Sequence, residues 1–228
     1  MEDLIKVRLR TTLITFALLT CFTVSSHASV IFSDNFDTDT TGYLLTGAID
    51  PYFTVTANNV DIVGGALAGS LCTGLESGNC LDTDGSPAGM DVSGTIMSIN
   101  IGLIAGDSYV LSFDINGSQR TYGLSSTTDV TLSGAGNANL VNTAITEPYT
   151  FVAATPFTYN FTALSTGNVN LVFASQDPSG QNAGNLLDNI TLTNTTSAAT
   201  PEPISMLLFG GGLLAVGLIG RRKKIDRL

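Results

Sequence analysis

Aspartates in two short segments are the residues of this chain best suited to bind a cation. Residues 34–39 (DNFDTD) hold three aspartates and residues 82–85 (DTDG) hold two, in predicted loops. Ca²⁺ takes six to eight oxygen ligands, and loops of this kind supply them. Neither segment has the spacing or the closing Glu of an EF-hand. The alternative is that these acids cap turns or face the solvent.

A second candidate site, for sugar binding, is the segment 116–122 (NGSQRTY). Its Asn116, Gln119, Arg120 and Tyr122 combine two amides, a cation and an aromatic ring. Ligand pockets place a few polar groups of this kind beside aromatic side chains. We therefore predict that these four residues bind a ligand. The alternative is structural, since tyrosines in a β-sandwich often belong to the core or to a sheet edge.

Two cysteines, Cys72 and Cys80, lie in the polar segment CTGLESGNC. The other cysteine, Cys21, and the only histidine, His27, fall in the predicted signal peptide and leave with it. A structural zinc site needs four ligands, which two cysteines without a histidine cannot supply. In an exported protein the pair predicts a disulfide that fastens a loop.

The charge of the exported part excludes several classes of function. Residues 29–200 contain fifteen acidic residues and one basic residue, Arg120, which gives a net charge of −14 (1 − 15). Nothing in this part could neutralise nucleic-acid phosphates. It has no histidine or lysine, so triads, histidine metal sites and Schiff bases are absent. We predict a protein that is not an enzyme, with a carboxylate-dependent glycosidase as the least favoured alternative.

The N-terminus has the pattern of a secretory signal peptide over residues 1–28. Three basic residues precede a mostly apolar stretch over 13–24, and small residues close the segment at Ser26 and Ala28. We predict cleavage between Ala28 and Ser29, and hence export through the inner membrane.

The C-terminus combines three elements in order. Pro201-Glu202-Pro203 is followed by an uncharged apolar run over 204–220, and the basic residues Arg221, Arg222, Lys223 and Lys224 come next. At 1.5 Å per residue the run forms a helix of about 25 Å, which is close to the thickness of a bilayer core. Basic residues favour the cytoplasmic side, so we predict a type I single-pass topology before processing. Residues 194–200 predict a flexible stalk.

This tail, residues 201–228, resembles the PEP-CTERM sorting signal of Gram-negative bacteria. The resemblance implies recognition by an exosortase and cleavage near the triplet. It also implies delivery to the cell surface or the extracellular matrix.

Alternation of apolar and polar residues over short segments predicts an all-β body at residues 29–193. In the clearest strand, Phe157 to Ala163, the odd-numbered residues are apolar and the even-numbered ones are polar. About nine or ten such strands fit a jelly-roll β-sandwich of two antiparallel sheets. An N-terminal signal helix and the C-terminal transmembrane helix flank it.

Short segments of the body resemble the jelly-roll domains of PEP-CTERM proteins, which are similar to galactose-binding-like carbohydrate-binding modules. They are 32–36 (FSDNF), 53–55, 81–85, 109–113 and 186–190 (LLDNI). The chain departs from these modules in having no tryptophan. The resemblance implies a structural Ca²⁺ between the first and last strands, held by Asp34 and Asp188 with Asp84 as third ligand. Asp188 would face inward in a regular strand, because it shares parity with Leu186 and Ile190.

These observations predict an exported, exosortase-sorted surface or matrix protein with a non-enzymatic body. We expect it to act by interaction or as structure, with exopolysaccharide as the candidate partner. The first alternative is a carbohydrate-binding module with one defined ligand.

Overall fold

Segments with alternating apolar side chains form β-strands throughout the part of the chain that the structure describes. The structure is a computed structural model that describes residues 28–64, 71–72, 74–75, 78–85, 93–118, 125–148, 156–176 and 184–196. Residues 28–196 form one compact unit. Residues 1–27 of the predicted signal peptide, the end of the stalk at 197–200 and the sorting tail lie outside the described residues. No helix within the described residues is long and apolar enough to cross a membrane.

Twelve strands are present in the described residues. They are β1 (Ser29–Asp34), β2 (Gly42–Ala48), β3 (Phe53–Val63), β4 (Cys80–Asp82), β5 (Thr95–Ser98), β6 (Ile101–Leu103), β7 (Ser108–Asn116), β8 (Ser125–Gly134), β9 (Asn137–Pro148), β10 (Phe157–Thr162), β11 (Gly167–Ser175) and β12 (Leu186–Asn194). All their pairings are antiparallel. The predicted all-β fold with two antiparallel sheets is confirmed.

The strand β3 runs through both sheets. Its last residues, 61–63, pair with β4 in the order β10-β7-β12-β4-β3, which we call sheet I. Its first residues, 53–57, pair with β5 in the order β3-β5-β11-β8-β9, which we call sheet II. Asn58, between these two parts, has a φ of 53°, and Asn tolerates this left-handed conformation. β1 pairs with β12 in sheet I, and β2 pairs with β3.

The main hydrophobic core lies between the two sheets. Phe113 of sheet I meets Phe173 of sheet II edge to face, with ring centroids 5.1 Å apart. Phe157, Tyr159 and Phe161 of β10 pack against this core while the residues between them are exposed. The alternation predicted for this strand is therefore confirmed.

A bulge in β12 changes the predicted position of Asp188. The register with β7 shifts between Asp188 and Thr191, and Asn189 has a φ of 50°. Leu187 and Ile190 both belong to the main core, although residues three positions apart face opposite sides in a regular strand. The alternation of faces is therefore interrupted at Asn189. Asp188 consequently lies on the face of sheet I that points away from the main core, with Leu186. It is still only 2% exposed.

A second, smaller core covers part of this outer face. Cys72 and Cys80 form the predicted disulfide, with their Cα atoms 5.8 Å apart. The bonded pair packs with Val63 of β3, Leu75 and Leu186 of β12. The disulfide therefore fastens its loop against three neighbouring strands of sheet I.

Candidate metal centre and ligand-binding residues

Three aspartates from three different segments converge at one end of β1. Each of Asp34, Asp39 and Asp50 offers a carboxylate oxygen, and these oxygens lie within 4.8 Å of one another. Asp34 is the last residue of β1, Asp39 belongs to the following turn, and Asp50 belongs to the turn between β2 and β3. Within the described residues this is the only group of three or more potential metal ligands.

The first two aspartates are positioned by the turn that follows β1. Phe36 adopts a left-handed backbone with a φ of 54°, which is uncommon for a bulky residue. Its side chain is fully buried, and this burial offsets the backbone cost. Asp39 closes the turn by donating its N–H to the carbonyl oxygen of Phe36 at 3.0 Å. This turn reverses the chain direction and brings the carboxylate of Asp39 near that of Asp34.

The third aspartate is held by its own turn. Oδ1 of Asp50 accepts hydrogen bonds from the backbone N–H groups of Tyr52 and Phe53, as Asp often does in turns. Phe53 is 1% exposed and its ring lies 6.0 Å from that of Phe36. Phe32 of β1 contacts Phe53 as well, with centroids 5.7 Å apart. These rings connect the segments that carry the three acids.

Each member of this group has one oxygen without a hydrogen bond. The Oδ2 atoms of Asp34, Asp39 and Asp50 are buried from solvent and accept none. For Asp34 and Asp50, Oδ1 is the oxygen that accepts backbone N–H groups. The group thus leaves three carboxylate oxygens that have lost water and have gained no donor, which is costly for charged atoms.

Burial and mutual repulsion disfavour the charged forms of these acids. The pKa of Asp34 is raised from 3.8 to about 7, mainly by burial. The backbone hydrogen bond from Phe36 opposes this rise, and repulsion by Asp50 and Asp39 contributes to it. Burial and the charge of Asp50 raise the pKa of Asp39 to about 6. Burial also raises the pKa of Asp50. The side chains of Asp34 and Asp50 are close enough to share a proton when one is protonated. Protons and cations therefore compete for this group.

The other predicted metal ligands lie elsewhere in the described structure. Asp84 is buried and forms an isolated bridge with Ser93. Asp188 is aligned with Asp114 of β7, and its Oδ1 accepts the N–H of Asn189. Neither belongs to the group that contains Asp34. Sequence reasoning missed Asp50, although the Asp-Pro pair at 50–51 is a turn signal that marks this position.

Acids on the outer face of sheet I have partners, in contrast to the group at β1. Asp61 accepts the N–H of Leu44 at 2.8 Å, and Asp82 accepts the N–H of Gly184 at 3.0 Å. Asp114 accepts a hydrogen bond from the side chain of Asn189 at 2.9 Å. These carboxylates hold strands and loops together, which is a structural role.

One predicted sugar-binding residue lies on the same face. Asn116 ends β7, opposite Leu186 of β12, and is 3% exposed. Its Nδ2 has no hydrogen-bond acceptor. The remaining members of the predicted site, Gln119, Arg120 and Tyr122, lie outside the described residues.

Residues 199–224 match the PEP-CTERM protein-sorting motif. The match confirms the resemblance of the tail and indicates an exported protein with a C-terminal sorting signal. A search of curated proteins finds no match to this sequence.

Several solved structures are similar to the chain in shape. The CBM22-1 xylan-binding domain of Xyn10C from Paenibacillus barcinonensis has a TM-score of 0.46 and 11% identity, and the match covers 76% of this chain and 99% of that domain. The K3 cleaved adhesin domain of Lys-gingipain from Porphyromonas gingivalis has a TM-score of 0.48 and 13% identity, with 73% and 99% covered. A carbohydrate-binding module from Cellvibrio mixtus lichenase 5A, in complex with cellotriose, has a TM-score of 0.38 and 14% identity, with 74% and 99% covered.

Proposed function

We propose that this protein is an exosortase substrate with a non-enzymatic β-sandwich that acts at the cell surface or in the extracellular matrix. Its role is interaction or structure, and exopolysaccharide is its partner. The observation that carries the proposal is the sorting motif at 199–224 behind a body with fifteen acids and a single base. Such a body repels nucleic acid and anionic polymers and is compatible with neutral glycans.

The environment of the acids supports a role without catalysis. A glycosidase needs two carboxyl groups that reach opposite sides of a bound glycosidic bond. On the outer face of sheet I, Asp61, Asp82 and Asp114 are buried and accept hydrogen bonds from the protein itself. In the group at β1, the oxygens without hydrogen bonds are buried from solvent. Neither arrangement offers a substrate an open carboxylate pair.

A second candidate function is that of a carbohydrate-binding module with one defined ligand. The observation that favours it is the buried amide of Asn116, whose Nδ2 has no acceptor in the protein. A sugar hydroxyl is a suitable acceptor for such a group. Gln119, Arg120 and Tyr122 follow Asn116 within six residues and would complete the site.

A glycan-binding assay separates the two candidates. The full chain, purified in detergent, is applied to an array of neutral and acidic polysaccharides beside an Arg120→Ala, Tyr122→Ala double variant. A Tyr43→Ala variant is the matched control, because Tyr43 is an exposed tyrosine of β2 outside the predicted site. Specific hits that the double variant loses support the second candidate. Weak binding to many neutral glycans supports the first, and turnover of any polysaccharide contradicts both.

The sorting step is tested separately. We expect Pro201→Ala, Glu202→Ala and Pro203→Ala together to leave an unprocessed chain in the inner-membrane fraction. Asp226→Asn, in the same tail but outside the matched residues, should be processed normally. Normal release of the triple variant would contradict the exosortase assignment.

A further inference from the structure

We propose that one end of the β-sandwich contacts the surface of the lipid bilayer while the sorting tail holds the chain in the membrane. The contact is made by the loops at 104–107 and 163–166 together with Val30 of β1, which we call the docking surface. The inference rests on the part of the proposed function in which the tail lies in the inner membrane before processing. It adds a lipid contact of the body, which that function leaves open.

Three exposed aliphatic side chains are the first observation. Leu164 is 70% exposed, Val30 is 58% exposed and Ile104 is 57% exposed, the highest values for large hydrophobic side chains among the described residues. A single exposed side chain of this kind is ordinary, whereas a group of them marks an interaction surface. Aliphatic groups gain free energy when they leave water for the apolar part of a bilayer.

Backbone and side-chain contacts place these three residues at the same end of the sandwich. The N–H of Gly106 donates to the carbonyl oxygen of Ala163 at 2.9 Å, and the N–H of Ala163 donates to that of Asp107 at 3.0 Å. These bonds join the two loops. Val30 pairs with Thr193 of β12, and the side-chain amide of the next residue in β12 donates to Asp107 at 2.8 Å.

Both loops are held in fixed positions by buried side chains. Oδ1 of Asn137 accepts the N–H of Leu164 at 2.8 Å, and Nδ2 of Asn137 donates to the carbonyl oxygen of Ser165 at 2.8 Å. The N–H of Ile104 donates to the hydroxyl oxygen of Tyr109 at 2.9 Å. The fold itself therefore keeps the aliphatic side chains exposed, and little loop entropy is lost when they meet a surface.

Both ends of the body leave from this end of the sandwich. Ser29, the first residue after the predicted signal cleavage, pairs with Asn194 of β12. The side chain of Thr196 accepts a backbone hydrogen bond from β7, so the chain is fastened to the body up to this residue. Residues 197–203 then precede the predicted span at 204–220, and they reach at most about 25 Å when fully extended. A tether this short gives even a weak contact with the bilayer a high effective concentration.

The charge distribution favours the same end. Five segments form it, namely 29–30, 104–107, 134–137, 162–166 and 193–196. Of the fifteen acids in residues 29–200, these segments contain Asp107 alone, and its carboxylate accepts the hydrogen bond from β12. Anionic headgroups repel a body of net charge −14 (1 − 15). The end with the fewest acids is therefore the one that approaches a bilayer at the lowest cost.

Tryptophan fluorescence tests the proposal, because the chain contains no tryptophan of its own. Leu164→Trp introduces one probe at the docking surface, and Tyr43→Trp is the matched control. Tyr43 is 46% exposed and lies in β2, where its neighbour Gly42 pairs with Ile62 at the opposite end of sheet I.

The full chain of each variant is reconstituted in phosphatidylcholine vesicles with and without bromine atoms on the acyl chains. We expect brominated lipid to lower the emission of Leu164→Trp about twofold or more, because bromine quenches a ring that enters the bilayer interface. The emission of Tyr43→Trp should stay unchanged.

A second pair of variants separates docking by the native side chains from the affinity of tryptophan itself for bilayer interfaces. Ile104→Asp, added to Leu164→Trp, should abolish the quenching because a charged side chain would then have to enter the interface. Tyr43→Asp, added to Leu164→Trp, introduces the same charge at the opposite end and should leave the quenching intact. If Leu164→Trp fails to fold, Ile104→Trp with and without Leu164→Asp gives the same test with the two positions exchanged.

Several results would overturn the proposal. If the chain floats with the vesicles but brominated lipid does not quench Leu164→Trp, the docking surface is wrong and the proposed function stands. Quenching that survives Ile104→Asp, or that is equal in Tyr43→Trp, also overturns it. Emission of Leu164→Trp that shifts to the blue with protein concentration and not with lipid would mean that a second copy of the chain covers the surface. A chain that does not float with the vesicles contradicts the membrane anchor, and with it both this inference and that part of the proposed function.

Discussion

Repulsion among Asp34, Asp39 and Asp50 should destabilise the folded protein at neutral pH, and Asp39→Asn should relieve it. The variant removes one charge from the group and leaves Oδ1 of both other acids with their backbone donors. Asn has nearly the shape of Asp, so packing is kept. We therefore expect the variant to be more stable than the wild type in EDTA at pH 7.5.

The magnitude follows from the shifted pKa of Asp34. One pKa unit corresponds to 1.36 kcal/mol, so a rise from 3.8 to about 7 sets an upper bound of about 4 kcal/mol. Asp34 is only half-buried, and solvent screening reduces this to about 1–2 kcal/mol. Asp39 contributes part of the repulsion on Asp34. We expect Asp39→Asn to add about 1 kcal/mol, or about 2–4 °C in Tm.

The same shifts give the sign of the pH dependence. Because the pKa values of Asp34 and Asp39 are raised in the folded protein, the folded state holds protons that the unfolded state releases at lower pH. The free energy of unfolding should therefore fall as pH rises from about 4 to about 7, and level off above that. Asp39→Asn should flatten this fall.

Urea unfolding in EDTA between pH 4.5 and 8 measures both effects. Asp129→Asn is the control for the general effect of removing one acid from a body of net charge −14 (1 − 15). The difference between the Asp39→Asn and Asp129→Asn curves isolates the local repulsion. The reasoning is refuted if Asp39→Asn is no more stable than Asp129→Asn at pH 7.5, or if the two curves run parallel across this range.

Three further variants test other parts of the fold. Cys72→Ser with Cys80→Ser should lower the free energy of unfolding by about 2–3 kcal/mol, from the loop entropy of a disulfide at a sequence separation of 8, and an unchanged urea midpoint would contradict this. Phe113→Ala should cost about 3–5 kcal/mol because its ring meets Phe173 across the core at 5.1 Å, and Phe157→Ala, at the partly buried edge, should cost less. Asn137→Ala should cost about 2 kcal/mol because the buried Asn137 side chain makes three hydrogen bonds to residues 164–165, and a loss below about 0.5 kcal/mol would show that water replaces them.

Local patterns were sufficient to predict much of the fold. The alternation over Phe157 to Ala163 predicts β10 because one face of that strand meets the core and the other meets solvent. Cys72 and Cys80 predict their disulfide because they are the only cysteines of the exported part. Each of these predictions depends on neighbours in sequence.

The bulge in β12 could not be predicted in this way. A regular alternation would place Asp188 with Ile190, but the left-handed backbone of Asn189 shifts the register. Asn adopts this conformation readily, although most Asn residues in strands do not. Whether a bulge forms depends on how β7 pairs with β12, which is a contact between distant parts of the chain.

The candidate site depends on distant contacts even more strongly. Asp34 and Asp39 are close in sequence, and a calcium loop at 34–39 was a reasonable expectation. Asp50 joins them because Phe53 packs against Phe32 and Phe36, and this packing is set by the tertiary fold. The resemblance to jelly-roll modules favoured Asp84 and Asp188 instead, because it implied a site between the first and last strands.

The hydrogen-bond partners of the buried acids distinguish the acids that support the fold from the group at the end of β1. Asp61, Asp82 and Asp114 accept N–H groups from other strands and loops, so their charge is stabilised by the protein itself. The Oδ2 atoms of Asp34, Asp39 and Asp50 at the end of β1 accept none. In a body with one basic residue, the positive charge must come from protons or from a bound cation. Because the pKa of Asp34 is raised to about 7, protons supply part of that charge at neutral pH.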